Sequence, residues 1–167
     1  MSAELMDFKT INLGRVKVIG KEVLCKCGHP EGNPIPALWG KCHEDGTIKA
    51  LEEHKDRLYK NALVGWMGKF CFKTNTFSYV VGIIADINAD VPSDMVSYEI
   101  PECKVAVATI KGTEPDIYMM AHEFTENEIK KLNLKPDWNV GLEMEWYDER
   151  FCANKDYKII DLYMSVV

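Results

Sequence analysis

The chain has 167 residues, of which 47% are hydrophobic and 28% charged, and a formal net charge of −6. These values are ordinary for a globular protein with one well-filled core. Lysine and arginine form no block against the negative charge, which argues against a nucleic-acid-binding or anionic-membrane-binding surface. The composition mildly favours cationic partners.

Nothing in the sequence predicts a membrane span or a signal peptide. The longest apolar run, at 80–85, is far shorter than the roughly 20 residues that a spanning helix needs. The acidic start at 1–7 lacks the basic and apolar regions of a signal peptide. We therefore expect a cytoplasmic protein whose six cysteines stay reduced.

The first half of the chain predicts a strand, two helical pieces and two further strands. Apolar alternation marks the strands, and apolar residues on one side mark the first helix, with Pro36 tolerated in its first turn. The elements are a strand at 15–24, a loop at 25–34, a helix at 35–42 with Ile35, Leu38, Trp39 and Cys42 on one side, a helical piece at 47–53, and strands at 62–72 and 77–86 joined by a turn at 73–76.

The second half repeats this order after the turn-rich linker 88–94. Its elements are a strand at 104–111, a helix that Gly112 and Thr113 can cap, with Ile117, Met120, Ala121, Phe124 and Leu132 on its apolar side, and strands at 140–148 and 157–166. Each half thus reads strand, helix, strand, strand.

This order predicts an α+β fold of tandem β-α-β-β repeats. We expect one domain over 1–167, with half-repeats at 1–87 and 95–167 related by a pseudo-twofold axis. Antiparallel sheets would carry their helices on one side, and a ligand cleft would lie between the halves.

The strand at 140–148 has the clearest alternation in the chain. Its apolar positions are Leu142, Met144 and Trp146, and its polar positions are Glu143, Glu145 and Tyr147. Because side chains on a strand point alternately to opposite faces, one face is apolar and the other carries carboxylates and a phenol.

Glu145 is the candidate functional residue of this strand, because it lies mid-strand beside Tyr147. If aromatic residues wall in that face, Glu145 is a negative charge at the floor of an aromatic pocket. We expect Glu143 and Glu149 to face water. Trp146 is expected to pack in the core.

With these residues in place, the chain resembles the GyrI-like family, the effector-binding domain also found fused to AraC-type and related transcription regulators. The resemblance is carried by VPSDMVSYEIP at 91–101, VAVATIKG at 105–112, MEWYDERF at 144–151 and IDLYM at 160–164. The first half matches loosely, through IPALW at 35–39 and VGW at 64–66.

The resemblance implies a pocket that binds lipophilic, often cationic, small molecules. The family's pocket glutamate stands two residues before a tyrosine, which maps onto Glu145 and Tyr147. Further aromatic candidates for the ligand site are Trp66, Trp39 and Tyr118. A cation that pairs with a buried carboxylate removes its desolvation penalty, and aromatic faces add cation–π attraction.

Two other functions stay open at this point. Some relatives are linked to hydrolysis of reactive cyclopropane-bearing compounds, and an enzyme would use Glu145, with a pKa raised by burial, to shuttle a proton while Tyr147 orients water or substrate. An interaction protein that binds another protein through its sheet is the third possibility. Since the first strand begins within about twenty residues of Met1, we expect no DNA-binding domain in this stand-alone chain, and a regulatory role would need a protein partner.

A metal site is suggested by Cys25, Cys27, His29 and Cys42, but their spacing does not match the usual zinc pattern. We expect no metal and no cofactor. His122 is expected at the surface, and no catalytic triad can be assembled from the spacing.

Overall fold

The computed structural model describes residues 2–28 and 32–167. In chain order the elements are strand β1 (Ala3–Leu13), strand β2 (Val16–Lys26), helix α1 (Ile35–Glu44), helix α2 (Thr47–Glu52), strand β3 (Leu63–Cys71), strand β4 (Thr76–Ala85), strand β5 (Val96–Ile100), strand β6 (Cys103–Gly112), helix α3 (Asp116–Lys131), strand β7 (Glu143–Tyr147), a 3-10 turn (Glu149–Phe151) and strand β8 (Lys158–Ser165).

The chain divides into two compact units. The middle unit is Arg15–Ile100, and the C-terminal unit combines Met1–Gly14 with Pro101–Val167. The division therefore falls after residues 14 and 100, whereas the predicted linker at 88–94 lies inside the middle unit. The expectations of one domain, a pseudo-twofold axis and a cleft between halves stay predictions.

Both units have the same strand order and the predicted α+β class. The C-terminal unit has the order β1-β6-β8-β7 and the middle unit the order β5-β2-β4-β3, with antiparallel neighbours throughout. Each unit thus contains the predicted strand-helix-strand-strand run, and one further strand pairs with the first strand of that run. The repeated element order is confirmed.

The two further strands, β1 and β5, were missed by the sequence prediction. In β1 the pairing shifts between Leu5 and Asp7, so that Leu5 lies opposite Ile110 and Phe8 opposite Ala108. This bulge places two apolar residues three positions apart on one face, and it breaks the period of two on which the prediction relied. Strand β5 has only five residues and pairs with β2 alone.

The helices of the middle unit cover one face of its sheet. Leu51 of α2 packs in a buried cluster with Ile19 of β2 and Ile83 of β4. The predicted inner side of α1 is confirmed, since Cys42 is buried and Trp39 is partly buried while the residues between them are exposed.

Helix α3 of the C-terminal unit packs on β6, β1 and β8. Its buried residues follow one stripe at Ile117, Ala121, Thr125 and Ile129. The predicted inclusion of Leu132 is wrong: this residue follows the last turn of the helix and is 53% exposed. Among the described helices, none is long and apolar enough to cross a membrane.

The predicted cap of α3 is also wrong. Pro115 occupies the N-cap position, and no side chain there bonds to the helix. Thr113 contributes its backbone carbonyl, which accepts a hydrogen bond from Ile117 N at 2.9 Å. Gly112 instead allows β1 to approach closely, because a Cβ at this position would lie 2.5 Å from the carbonyl oxygen of Ser2.

An ionic network fixes the 3-10 turn to the sheet of the C-terminal unit. Arg150 Nη2 donates to Asp148 Oδ2 and Asp161 Oδ2, both at 2.7 Å. Asp161 is buried in β8 and also accepts from Thr109 Oγ1 at 2.7 Å. The two carboxylates thus share one guanidinium, which offsets the cost of burying them.

The middle unit contains a close approach between two glycines. Gly20 of β2 lies opposite Gly82 of β4. A Cβ on Gly20 would lie 1.9 Å from the carbonyl oxygen of Val81, and one on Gly82 would lie 2.2 Å from that of Ile19. Because the obstructing atoms are backbone, a side chain here forces the strands apart.

We therefore expect Gly82→Ala to destabilise the fold by about 1–3 kcal/mol, the usual cost of overpacking. Urea unfolding followed by circular dichroism measures this change. The control is Gly40→Ala in α1, where no described atom outside the adjacent residues and the helix backbone lies within 4 Å of the added Cβ and where alanine favours the helix by up to about 1 kcal/mol. Equal unfolding free energies for the two variants would contradict the close-approach argument.

Candidate functional site

Strand β7 alternates as its sequence predicts. Met144 and Trp146 are buried, whereas Glu143, Glu145 and Tyr147 are partly buried. Glu145 lies opposite Leu162 of β8, and cross-strand partners project from the same face of a sheet. The carboxylates therefore share their face with apolar side chains of the neighbouring strand.

Helix α3 lies over this carboxylate-bearing face. His122 Nδ1 is 3.5 Å from Glu143 Oε2, and the charge of Glu145 acts on Tyr118. One helical turn from residue 118 to 122 advances about 6 Å, which matches the roughly 6.6–6.8 Å between alternate residues of a strand. This spacing agrees with the ion pair of His122 with Glu143 and with the effect of Glu145 on Tyr118.

Tyr118 is an aromatic residue of α3 on which the charge of Glu145 acts. Burial raises the pKa of its phenol well above the usual value, the hydrogen bond and charge of Glu114 raise it further, and Glu145 adds to the effect. The hydroxyl donates to Glu114 Oε1 one turn earlier. Tyr118 therefore stays a neutral hydrogen-bond donor, and Glu114 is its acceptor.

Tyr147 lies on the same face of β7, at the end of the strand. Its ring meets that of Phe151 edge-on, with 5.0 Å between centroids and an interplanar angle of 85°. Lys158 Nζ lies 4.2 Å from the centre of the Phe151 ring. The predicted residues Glu145, Tyr147 and Tyr118 thus belong to one unit, two of them on a strand and one on the helix above it.

The prediction that Glu143 faces water is wrong. Its side chain is 16% exposed, and burial raises the pKa of the carboxyl, an effect that His122 opposes and Glu126 reinforces. Strand periodicity assigned Glu143 to the polar face but gave no sign that a helix covers it. Glu149 is exposed, as predicted.

Trp146 lies on the opposite face of β7, where it is 7% exposed, as the core prediction required. Its ring stacks on Tyr163 of β8, with 4.9 Å between centroids and 12° between planes. Trp146 also lies opposite Asp161, the buried member of the ionic network. This face is filled by structural contacts.

The two candidate tryptophans of the middle unit lie on opposite faces of its sheet. Trp39 Nε1 donates to the hydroxyl of Tyr79 at 3.0 Å, which places it on the helix-covered face. Trp66 pairs with Val80, the neighbour of Tyr79 in β4, and therefore points the other way. The structure does not bring Trp39 and Trp66 together within this unit.

Trp66 belongs to a cluster that sequence reasoning missed. Its ring stacks on Tyr98 of β5, with 4.9 Å between centroids. The Tyr98 hydroxyl donates to Glu22 Oε1, and burial together with this carboxylate raises the pKa of Tyr98 to about 12. Lys69 Nζ lies 4.8 Å from the same ring. No sequence pattern indicated this cluster, because the strand β5 that carries Tyr98 was not predicted.

The candidate metal ligands lie in the middle unit. Cys25 and Cys42 are buried, and burial raises the pKa of both thiols. His29 lies outside the described residues. Among residues 2–28 and 32–167, no group of three or more His, Cys, Asp or Glu side chains is arranged to hold a metal ion.

Comparison with protein families matches residues 6–167 to the GyrI-like small molecule binding domain. The chain belongs to this family. The resemblance found in the sequence is confirmed, and the match extends over both units of this GyrI-like chain.

One curated relative is the transcriptional regulator BrlR of Pseudomonas aeruginosa strain PAO1. It is 33% identical over 91 residues, which are 54% of this chain and 33% of BrlR. The aligned segment thus spans a third of that regulator's length.

Solved structures of similar fold include SAV2435 bound to tetraphenylphosphonium, which is 17% identical with a TM-score of 0.74 over 97% of this chain and 94% of that one. An integron cassette protein from the mobile metagenome of Vibrio cholerae is 14% identical, with a TM-score of 0.65 over the whole of both chains. At these identities the likeness establishes the fold of this GyrI-like chain.

We expect the purified protein to contain no stoichiometric zinc. Cys25 and Cys27 are one residue closer than the shortest usual spacing of zinc-binding cysteines, and buried thiols with a raised pKa resist forming the thiolate that binds metal. Elemental analysis checks this expectation. Stoichiometric zinc that disappears in Cys25→Ser would contradict it.

We expect Glu143→Gln to gain stability relative to the wild type as the pH rises above 4.5, the ordinary value for this carboxyl. Because burial raises its pKa in the folded state, the wild-type contribution is fully present below 4.5 and is lost as the pH rises through the folded-state pKa. Glutamine has no proton to lose. Urea unfolding at one pH below 4.5 and one well above it measures the difference.

The comparison variant is His122→Gln. His122 opposes the effect of burial on the pKa of Glu143. The His122→Gln variant should therefore lose more stability than the wild type as the pH rises above 4.5. Parallel pH profiles for Glu143→Gln and the wild type would show that Glu143 is solvated.

Proposed function

We propose that this GyrI-like chain binds lipophilic organic cations and that Glu145 is the charge that selects them. The observation that carries the proposal is the position of Glu145 on a partly buried face of β7, opposite Leu162 and close enough to Tyr118 to raise the pKa of its phenol. A carboxylate in such a place is incompletely hydrated. A cationic ligand recovers part of that desolvation cost.

The aromatic residues near Glu145 supply the lipophilic part of the recognition. Tyr118 and Tyr147 are both partly buried on the face that carries the glutamate. Their ring faces attract a cation as well as apolar groups, whereas a small hydrated ion such as sodium gains little from them. The site therefore favours a large cation with aromatic or aliphatic substituents.

The structure of SAV2435 with tetraphenylphosphonium supports this ligand class. Tetraphenylphosphonium is a lipophilic cation, and SAV2435 has the same fold over nearly the whole chain. Trp39 and Trp66 of the middle unit stay candidates for further aromatic contacts. A regulatory role through a protein partner is part of the proposal, in line with the BrlR relative.

The test uses a ligand pair that differs in charge and little in shape, methyltriphenylphosphonium and neutral triphenylphosphine oxide. Isothermal titration calorimetry should show tighter binding of the cation to the wild type. Glu145→Gln keeps the shape of the side chain and removes its charge. This substitution should weaken binding of the cation by on the order of 2–5 kcal/mol and should change binding of the neutral ligand little.

Glu149→Gln is the matched control, because Glu149 is an exposed glutamate four residues further along the same segment. It should bind the cation as the wild type does. Equal losses for both ligands in Glu145→Gln would assign this residue to shape or folding, and no loss for either would place it outside the site. If mass spectrometry showed the ligand chemically converted by the wild type and not by Glu145→Gln, hydrolysis would replace binding as the function.

A further inference from the structure

The carboxylate-bearing face of β7 carries a second glutamate beside the proposed anchor. Glu143 and Glu145 project from this face two positions apart, so their Cα atoms are separated by roughly 6.6–6.8 Å. Glu143 lies opposite Met164 and Glu145 opposite Leu162, both buried residues of β8. Both carboxylates are thus set in the same apolar strip.

Glu143 is largely buried and has an ionic partner on helix α3. Its side chain is 16% exposed, and its ionic partner is the imidazole of His122 at 3.5 Å, which is 37% exposed. This contact is an ion pair only when the imidazole is protonated. The negative charge at Glu143 is therefore compensated by a group whose own charge is conditional.

The charge of Glu126, an exposed residue one turn beyond His122 on α3, also acts on Glu143. This negative charge repels that of Glu143, and the repulsion makes a nearby cation more favourable. The strand on the other side contributes the apolar Met164. Among the described residues, the charges that act on Glu143 are therefore those of His122 and Glu126.

We infer that the site accepts two positive charges, with one cationic centre at Glu145 and a second at Glu143 in the place of His122. The ligand class is a lipophilic dication whose charged centres are separated by about the spacing of alternate strand residues. Glu143 is then a residue that sets specificity for dications over monocations. This inference rests on the proposed function, because it assumes that cations bind at Glu145.

The two probes carry the same headgroup once or twice. Butyltriphenylphosphonium is the monocation, and butane-linked bis(triphenylphosphonium) is the dication. The wild type should bind the dication at least about tenfold more tightly, because the second carboxylate recovers part of its desolvation cost. The measured quantity is the ratio of the two dissociation constants, determined by calorimetry at one pH and ionic strength.

Three variants separate the roles of the residues. Glu143→Gln should reduce the ratio of the two dissociation constants to near one, because one carboxylate then binds either probe through a single cationic centre. His122→Gln should increase the ratio, because it removes the group that competes with the ligand for Glu143. Glu145→Gln should weaken both probes, so that its effect tests the anchor and not the second charge.

The ratio should fall in Glu143→Gln and rise in His122→Gln. A folding defect would weaken binding in both variants, so it cannot produce these opposite changes. A wild-type ratio near one, or a ratio that Glu143→Gln leaves intact, would overturn the inference while the anchor at Glu145 stands. Failure of the wild type to bind either probe would overturn the proposed function and this inference with it.

Discussion

The organisation of the C-terminal unit depends on the electrostatic cost of covering a strand that carries two carboxylates. Helix α3 buries its apolar stripe against the sheet, and this packing brings it over Glu143 and Glu145. Each acid consequently meets a polar side chain of the helix, Tyr118 in one case and His122 in the other. The helix removes water from the acids and supplies polar groups that offset part of the desolvation cost. A cationic ligand at this face would offset more of that cost and is therefore bound favourably.

The opposite face of the same sheet carries charges that are purely structural. Asp161 is buried there, yet it accepts hydrogen bonds from Arg150 and Thr109 at 2.7 Å each. Arg150 provides a permanent charge in a planar geometry that matches carboxylates. Glu143 is paired at 3.5 Å with the imidazole of His122, which is charged only when protonated. The contrast is between a carboxylate held by a permanent charge and one held by an imidazole.

Element type and order could be predicted from the sequence because they follow from local periodicity. The alternation of strand β7, the inner side of α1 and the repeated strand-helix-strand-strand order all needed only neighbouring residues. Strand β1 was not predicted because its bulge shifts Leu5 and Phe8 onto one face. The burial of Glu143 escaped for a different reason: it is caused by a helix that begins 27 positions earlier in the chain, and periodicity in a strand says nothing of what covers it.

The aromatic candidates show the same limit in the middle unit. Nothing local distinguishes Trp39 from Trp66, since both are large rings in apolar surroundings. The pairing of Trp66 with Val80, and of Trp39 with the adjacent Tyr79, assigns them to opposite faces of one sheet. That assignment requires the register of β3 against β4, which a single sequence does not contain. Trp39 therefore lies on the helix-covered face of its own sheet, and Glu145 lies on the helix-covered face of the sheet in the C-terminal unit.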